Sequence, residues 1–147
     1  EDFPLLAPFS WRGTVNKWNN RYAEAHPKQP DYPFATLKMH RVILRAPLGI
    51  QVDHRDGNGL NNQKLNLRLA TNANNAMNMR RRCDNTSGYK GVHPHAGKWM
   101  AQIRLNGRNI YLGRFDNPID GALAYDRAAE RLFGDFARTN RTLGLVQ

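Results

Sequence analysis

Residues 52–75 read VDHRDGNGLNNQKLNLRLATNANN, and they contain the most distinctive side chains of the chain. Asp53 and His54 end a short apolar run, and a loop rich in glycine and asparagine follows. Asn66 lies twelve residues after His54, and Asn75 lies nine residues after Asn66. Carboxylate and amide oxygens can hold one hard cation beside an imidazole that acts as a general base. Such a set is suited to hydrolysing a phosphodiester.

The residues before this stretch predict a β-hairpin. Residues 37–44 alternate in the manner of a strand, residues 47–49 form a turn, and residues 50–52 make a second short strand. The hairpin would place Asp53 and His54 at its open end.

The residues after the loop predict a helix. Thr71 can cap a helix over about residues 72–82, because its hydroxyl can accept a first-turn amide proton. Asn75 would lie in the first turn and point back at the hairpin. In this arrangement His54 is the general base, while Asp53 and Asn75 hold the cation. Asn66 would hydrogen-bond the imidazole or its backbone and so orient it.

At this point the sequence resembles the phage-type HNH (His-Asn-His) homing endonucleases. Residues 52–58 and 66–68, followed by Thr71 and Asn75, carry the resemblance, which extends over residues 37–78. It implies an α+β protein with a ββα-metal nuclease fold and the four roles given above. It also implies products with a 3′-hydroxyl and a 5′-phosphate. Asn75 stands where the family name has His, as in many phage-type members.

Simpler interpretations exist for several of these residues. One alternative is that the loop is a set of turns, with Asp53 and His54 as a local hydrogen-bonded pair. We interpret His40 as a packing or DNA-contacting residue rather than a third ligand. His93 and His95 have the spacing of a metal pair, but no partner ligands lie near them in the sequence.

A second module is predicted after a basic linker. Residues 89–93, 99–105 and 109–115 read as three strands, and Asn106 with Gly107 is a strong hairpin-turn signal. A helix begins near Pro118 and ends at Gly134, so the module is a three-stranded antiparallel sheet packed on one helix. The predicted boundaries are 1–83 for the nuclease module, with its motif core at 37–82, and 84–147 for the second module.

The second module resembles plant ethylene-response-factor DNA-binding domains. The residues that carry the resemblance are 87–92, 97–104, 111–115 and 122–129. In that family the sheet lies in the major groove. The resemblance implies DNA contacts from Lys90, His93, His95, Lys98, Arg104, Arg108 and Tyr111. Ala96 and Gln102 depart from the plant pattern, so no base preference is transferred.

Composition favours a polyanionic partner. The chain has 147 residues and a formal charge of +10, from 22 Lys and Arg against 12 Asp and Glu. An ordinary basic surface is the alternative. The linker residues Arg80, Arg81 and Arg82 are expected to contact phosphates, or else to form a solvated helix end. Trp11, Trp18 and Tyr22 are expected to pack on a small core.

The sequence therefore predicts a metal-dependent DNA endonuclease that uses Mg²⁺ or Mn²⁺ and nicks duplex DNA as a monomer or weak dimer. The alternative is a non-catalytic nucleic-acid-binding protein, such as a ribonucleoprotein component that binds RNA, on a retained nuclease scaffold. Cys83 is the only cysteine, so an intracellular, reducing compartment is expected: bacterial or phage-infected cytoplasm, or an organelle matrix in the alternative. No apolar run approaches the roughly 20 residues of a membrane span.

Overall fold

Short apolar segments between polar loops build small sheets in this chain, and the computed structural model describes them over residues 3–17, 19–27, 35–78 and 84–147. The chain divides into two units, Glu1–Asn75 and Ala76–Gln147. The class is α+β, with three small antiparallel sheets in the described residues. The predicted module boundary at 83/84 adjoins residues 79–83, which lie outside the described ranges, and it stays a prediction.

The first unit is built from short elements. They are, in chain order, α1 (Phe3–Leu6), β1 (Arg12–Val15), β2 (Arg21–Ala25), β3 (Leu37–Lys38), α2 (Met39–Ile43), β4 (Gln51–His54), β5 (Leu67–Ala70) and α3 (Asn72–Met77), whose last two residues belong to the second unit. Strands β1, β2 and β3 form one antiparallel sheet, and β4 and β5 form another. The N-terminal segment thus supplies two strands that the sequence did not predict.

The predicted strand over residues 37–44 is wrong. Only Leu37 and Lys38 pair, with β2, and the chain then turns into helix α2. His40 and Ile43, three residues apart, are both buried, which is a helical spacing. In so short an apolar run, an alternating and a helical pattern are difficult to distinguish.

Strand β4 exists as expected, but its partner is β5. The register joins Asp53 to Arg68 and His54 to Leu67 across the two strands. The predicted hairpin of residues 37–52 is therefore replaced by a strand, a long loop and a second strand. Asp53 and His54 lie within β4, at the end from which the loop leaves.

Helix α3 begins as predicted. The Thr71 hydroxyl accepts the backbone N–H of Asn74 at 3.1 Å, which is the expected N-cap bond. The helix is described as far as Met77, so its predicted extension over residues 79–82 lies outside the described residues.

The second unit matches its predicted architecture. Its elements are β6 (Val92–His95), β7 (Lys98–Leu105), β8 (Arg108–Phe115) and α4 (Pro118–Phe133). The Asn117 side chain accepts the N–H of Ile119 and caps α4, whose first residue is Pro118. Val92, Ala101 and Ile103 of the sheet are buried, as are several residues of α4. No helix in the described part of the chain is long and apolar enough to cross a membrane.

A buried polar network ties the C-terminal segment to the second unit. Asn140 is fully buried; its Oδ1 accepts the backbone N–H of Lys90 at 2.6 Å, and its Nδ2 donates to the Lys90 carbonyl at 3.1 Å. The Asp126 carboxylate accepts the backbone N–H of Asn140 at 2.7 Å and of Arg141 at 2.9 Å. Asn140 thus acts as a bridge between α4 and the start of the sheet.

Candidate functional site

A nearly dry ion pair fixes the Asp53 carboxylate in the first unit. Arg68 faces Asp53 across β4 and β5, and its Nε and Nη2 lie 2.7 and 2.6 Å from Oδ2 of Asp53. The side chains are 9% and 5% exposed, so removing either would leave the other as a buried charge. Sequence reasoning gave Arg68 no role, because its partner is evident only once the strand register is known.

Two rings, those of His40 and Tyr22, lie against the imidazole of His54, which is also buried. His40 meets it edge-on with ring centroids 5.0 Å apart, and the Tyr22 ring lies 5.5 Å from His40 and 6.1 Å from His54. Burial, then the positive charges that His54, Lys38 and Arg41 can carry, lowers the pKa of His40 to about 3. His40 is therefore a neutral neighbour of His54 near pH 7. Tyr22, expected to pack on a core, contacts a site residue.

The hydrogen-bond partner of His54 comes from the loop. Its Nε2 lies 3.2 Å from Oδ1 of Asn62. The Asn62 amide group donates to the carbonyl of Leu60, also at 3.2 Å. Sequence reasoning missed Asn62 and proposed Asn66 for this role, since the loop holds several asparagines and only geometry distinguishes them.

The Asn66 side chain forms hydrogen bonds within the loop, to Asp56 and Asn61, and not to the His54 ring. Its Nδ2 donates to Asp56 Oδ1 at 3.0 Å and to the Asn61 carbonyl at 2.8 Å, and its Oδ1 accepts the Asp56 N–H. Its backbone carbonyl accepts the N–H of Arg55, the residue after His54. These bonds reach Arg55 and Asp56, whereas the predicted contact was with the imidazole or the backbone of His54 itself. The role of Asn66 in catalysis stays a prediction.

Asp56 is the centre of that loop. Burial by itself would raise the pKa of Asp56, but hydrogen bonds from the Asn58 N–H and from the Asn61 and Asn66 amides hold it below its ordinary value. An ionised carboxylate accepts all of these bonds. Asp56 therefore acts as the anchor of the loop.

Asn75 lies on the same side of β4 as Asp53. Its Nδ2 donates to Oε1 of Gln51, and Gln51 and Asp53, two residues apart in a strand, point to one face. A carboxylate and an amide oxygen are ligands that Mg²⁺ and Mn²⁺ accept. The described residues contain no group of three His, Cys, Asp or Glu suited to a metal, so a cation here would need water and substrate oxygens. The donor chemistry fits that arrangement.

A basic face of the sheet forms a second candidate site, in the second unit. The register places Met100 opposite both His93 and Arg114, His95 opposite Lys98, and Gln102 opposite Tyr111. Facing residues share one side of a sheet, and the buried Ala101 and Ile103 point to the other side, where α4 packs. We call the outward side the basic face. It includes His93, His95, Lys98, Arg104, Tyr111 and Arg114.

Arg114 is the member of the basic face that sequence reasoning missed. Its side chain is exposed, and its Nη2 donates to the Ala96 carbonyl at 3.1 Å. Simple alternation along β8 would place Arg114 on the same side of the sheet as Leu112, which packs against the core. The bulge at Ala101/Gln102 shifts the register, so Arg114 lies on the outward side instead.

Lys90 and Arg108 depart from the predicted contact set. The Lys90 Nζ donates to the carbonyls of Met77 at 3.2 Å and Arg138 at 2.9 Å, and burial lowers its pKa to about 8. Its ammonium thus serves the interior of the unit rather than the basic face. Arg108 is exposed but pairs with Leu105, so the register puts it on the side of α4. Arg80, Arg81 and Arg82 lie outside the described residues.

Comparison with known proteins finds named relatives of this chain. No protein-family model matches the chain. The chain is 33% identical over 148 aligned residues to an uncharacterized HNH endonuclease of Acanthamoeba polyphaga mimivirus, an alignment that covers 96% of this chain and 72% of that protein.

Two plant proteins are similar to part of the chain. A dehydration-responsive element-binding protein of Arabidopsis thaliana is 48% identical over 61 residues, which cover 39% of this chain and 30% of that protein. An ethylene-responsive transcription factor of the same plant is 35% identical over 97 residues, which cover 62% of this chain and 59% of that protein. The chain thus spans less than two thirds of either plant relative.

Proposed function

The chain belongs to the HNH endonuclease family, and we propose that it is a metal-dependent endonuclease that nicks duplex DNA. One observation carries this proposal: Asp53 and His54 are consecutive in β4, with Asn75 on the Asp53 side and a fixed loop beside His54. The order of strand β4, strand β5 and helix α3 supports a ββα-metal module.

His54 would act as the general base. Its imidazole takes a proton from the attacking water, while neutral His40 adds no positive charge beside it. Arg68 keeps the Asp53 carboxylate in one orientation. Asp53 and Asn75 would hold one Mg²⁺ or Mn²⁺, which when bound neutralises charge on the scissile phosphate and on the departing oxygen. The products would carry a 3′-hydroxyl and a 5′-phosphate.

The second unit would bind and position the DNA through its basic face. Arg104 and Arg114 can donate two parallel hydrogen bonds to a guanine edge or to a phosphate, and Lys98 suits a phosphate. Tyr111 is 60% exposed and offers a flat ring to the DNA. Lys98 already pairs with Asp116 at 2.9 Å, so its contact with DNA would exchange one anion for another.

One active site per chain would cut one strand. Cleavage of both strands would need a second copy of the chain or a second binding event, and a monomer or weak dimer is the proposed state. An intracellular, reducing compartment is proposed with it, since Cys83 is the only cysteine.

The test is cleavage of a supercoiled plasmid library carrying randomised inserts, in Mg²⁺ or Mn²⁺, with EDTA as the metal-free control. We expect relaxed circles from the native protein and none from His54→Ala. The matched control is His26→Ala, which removes an exposed histidine of the same unit whose recorded bonds go to Ala35 and Thr36. Tight duplex binding without cleavage under every condition would refute the endonuclease and leave a nucleic-acid-binding protein on a nuclease scaffold.

A further inference from the structure

The contact between Asn62 and His54 determines which ring nitrogen carries a proton. The Asn62 Nδ2 donates to the Leu60 carbonyl, so its Oδ1 is the atom that faces Nε2 of His54 at 3.2 Å. An amide oxygen can only accept, and Nε2 must therefore be the donor. In a neutral imidazole with a proton on Nε2, the basic lone pair lies on Nδ1.

We propose that Asn62 is a positioning residue that holds His54 in its Nε2–H form and thereby makes Nδ1 the proton acceptor. The inference rests on the proposed function, in which His54 is the general base. The water proton moves to Nδ1 as the water oxygen bonds to phosphorus, and the bond from phosphorus to the 3′ oxygen breaks. The departing oxygen takes a proton from solvent, and Nδ1 later returns its proton to solvent.

The bond to Asn62 suits every stage of that cycle. When Nδ1 accepts a proton, both ring nitrogens are donors, and Nε2 keeps its bond to the Asn62 oxygen. The ring need not flip between turnovers, because its protonated and neutral forms make the same contact.

Asn62 is itself held by the loop. Its backbone N–H and its side-chain amide both donate to the Leu60 carbonyl. The preceding residue, Asn61, donates to the Asp56 carboxylate at 2.7 Å. Gly59 lies so close to Tyr22 that a side chain there would meet the ring, which also contacts His54. The loop therefore delivers Asn62 to a fixed place relative to His54.

The role cannot be exchanged with Asn66. The side-chain atoms of Asn66 contact Asp56 and Asn61, and its bond nearest to His54 runs from its backbone carbonyl to the next residue. Asn66 thus shapes the loop that carries Asn62. Asn66 therefore affects His54 only through the position of Asn62, and only Asn62 should control which nitrogen of the His54 ring carries the proton.

The primary test is the proton on the His54 ring in the full chain, observed by ¹⁵N-edited NMR of histidine side chains and assigned by its loss in His54→Ala. Spectra are recorded at a pH high enough that the imidazole signals no longer move. We expect a proton on Nε2 that exchanges slowly with water, its loss in Asn62→Ala, and its return in Asn62→Asp, which keeps the acceptor oxygen. Gln63→Ala is the matched control: it removes an exposed side chain next to Asn62 but keeps the backbone N–H that Gln63 donates to Asn61, so the signal should remain.

Plasmid nicking under single-turnover conditions gives a second readout. We expect Asn62→Ala to slow nicking by about 10- to 100-fold, as for a displaced catalytic group, and Asn62→Asp to recover most of the rate. A native proton on Nδ1, or an Nε2 signal unchanged in Asn62→Ala, would overturn the inference even if the protein cuts DNA. The expected NMR pattern in a protein that cuts nothing would instead refute the proposed function and leave the positioning contact intact.

Discussion

Replacing Gly59 by alanine should unseat the loop that follows His54. A Cβ at this position would lie 2.8 Å from two ring atoms of Tyr22 and closer still to the backbone carbonyl of Arg21. Carbon atoms in good contact are about 3.5–4.0 Å apart, so the loop must move by roughly 1 Å. The carbonyl of Arg21 cannot yield freely, because Arg21 pairs with Val15 in the sheet.

The magnitude follows from two opposing effects. Overpacking costs about 1–3 kcal/mol, whereas the loss of glycine freedom in the unfolded chain returns about 0.4–1 kcal/mol. We therefore expect a net loss of roughly 1–2 kcal/mol in the free energy of unfolding of the first unit. Nicking should fall by up to about 100-fold, since a 1 Å displacement would carry Asn62 away from His54.

The assay compares Gly59→Ala with Gly13→Ala, which lies in β1 with nothing within 4 Å of its added carbon. Urea unfolding is followed by NMR signals of the first unit, and nicking is measured beside it. Gly13→Ala should behave as the native protein within about 0.5 kcal/mol. If Gly59→Ala proves as stable and as active as Gly13→Ala, the close approach of loop and sheet does not exist in solution.

Three further outcomes are expected. The pKa of His40 is about 3 when folded and 6.5 ordinarily, so its contribution to the free energy of unfolding is complete above pH 6.5 and is lost at up to about 1.4 kcal/mol per pH unit as the pH falls towards 3. Urea titrations of His40→Phe should lack this slope, and an equal slope in both proteins would contradict the prediction. Arg68→Met should destabilise the first unit by about 3–5 kcal/mol, because it leaves the buried Asp53 carboxylate without its counter-charge. In the same unfolding measurement, the double variant with Asp53→Leu should regain much of the lost free energy of unfolding, and full additivity of the two single changes would rule out the pairing. Arg104→Ala should weaken DNA binding by about 1–3 kcal/mol in a fluorescence titration. Arg127→Ala, which changes an exposed residue of α4, should leave binding unchanged, and equal losses in the two variants would argue against the basic face.

The second unit was largely predictable because its signals are local. Asn106 with Gly107, Asn117 with Pro118, and Gly134 mark turns and helix ends within a few residues of each other. The exception is Lys90, which the resemblance to the plant DNA-binding domains placed among the DNA contacts. Its ammonium turns inward because carbonyls from residues 77 and 138 meet there, and that meeting is a product of the tertiary fold.

The first unit was predictable in its composition and less so in its pairing. The Thr71 cap was predicted from one residue type and is confirmed, whereas the site roles of Asp53, His54 and Asn75, proposed from residue type and spacing, stay predictions. The partner strand of β4 was not predicted, because β5 has only four residues and follows a long loop. The Asp53–Arg68 ion pair and the choice of Asn62 over Asn66 depend on that pairing and on amide geometry, neither of which leaves a periodic signal.

The N-terminal sheet explains how so small a site can remain folded. Two strands such as β4 and β5 are marginal by themselves, and here they also bury a carboxylate and an imidazole, which is costly without partners. Tyr22 of β2 and His40 of α2 supply ring contacts to His54, while Arg68 neutralises Asp53. The N-terminal sheet, which the sequence did not predict, thus supports the candidate catalytic residues, and its loss should disorder the site before it disturbs the second unit.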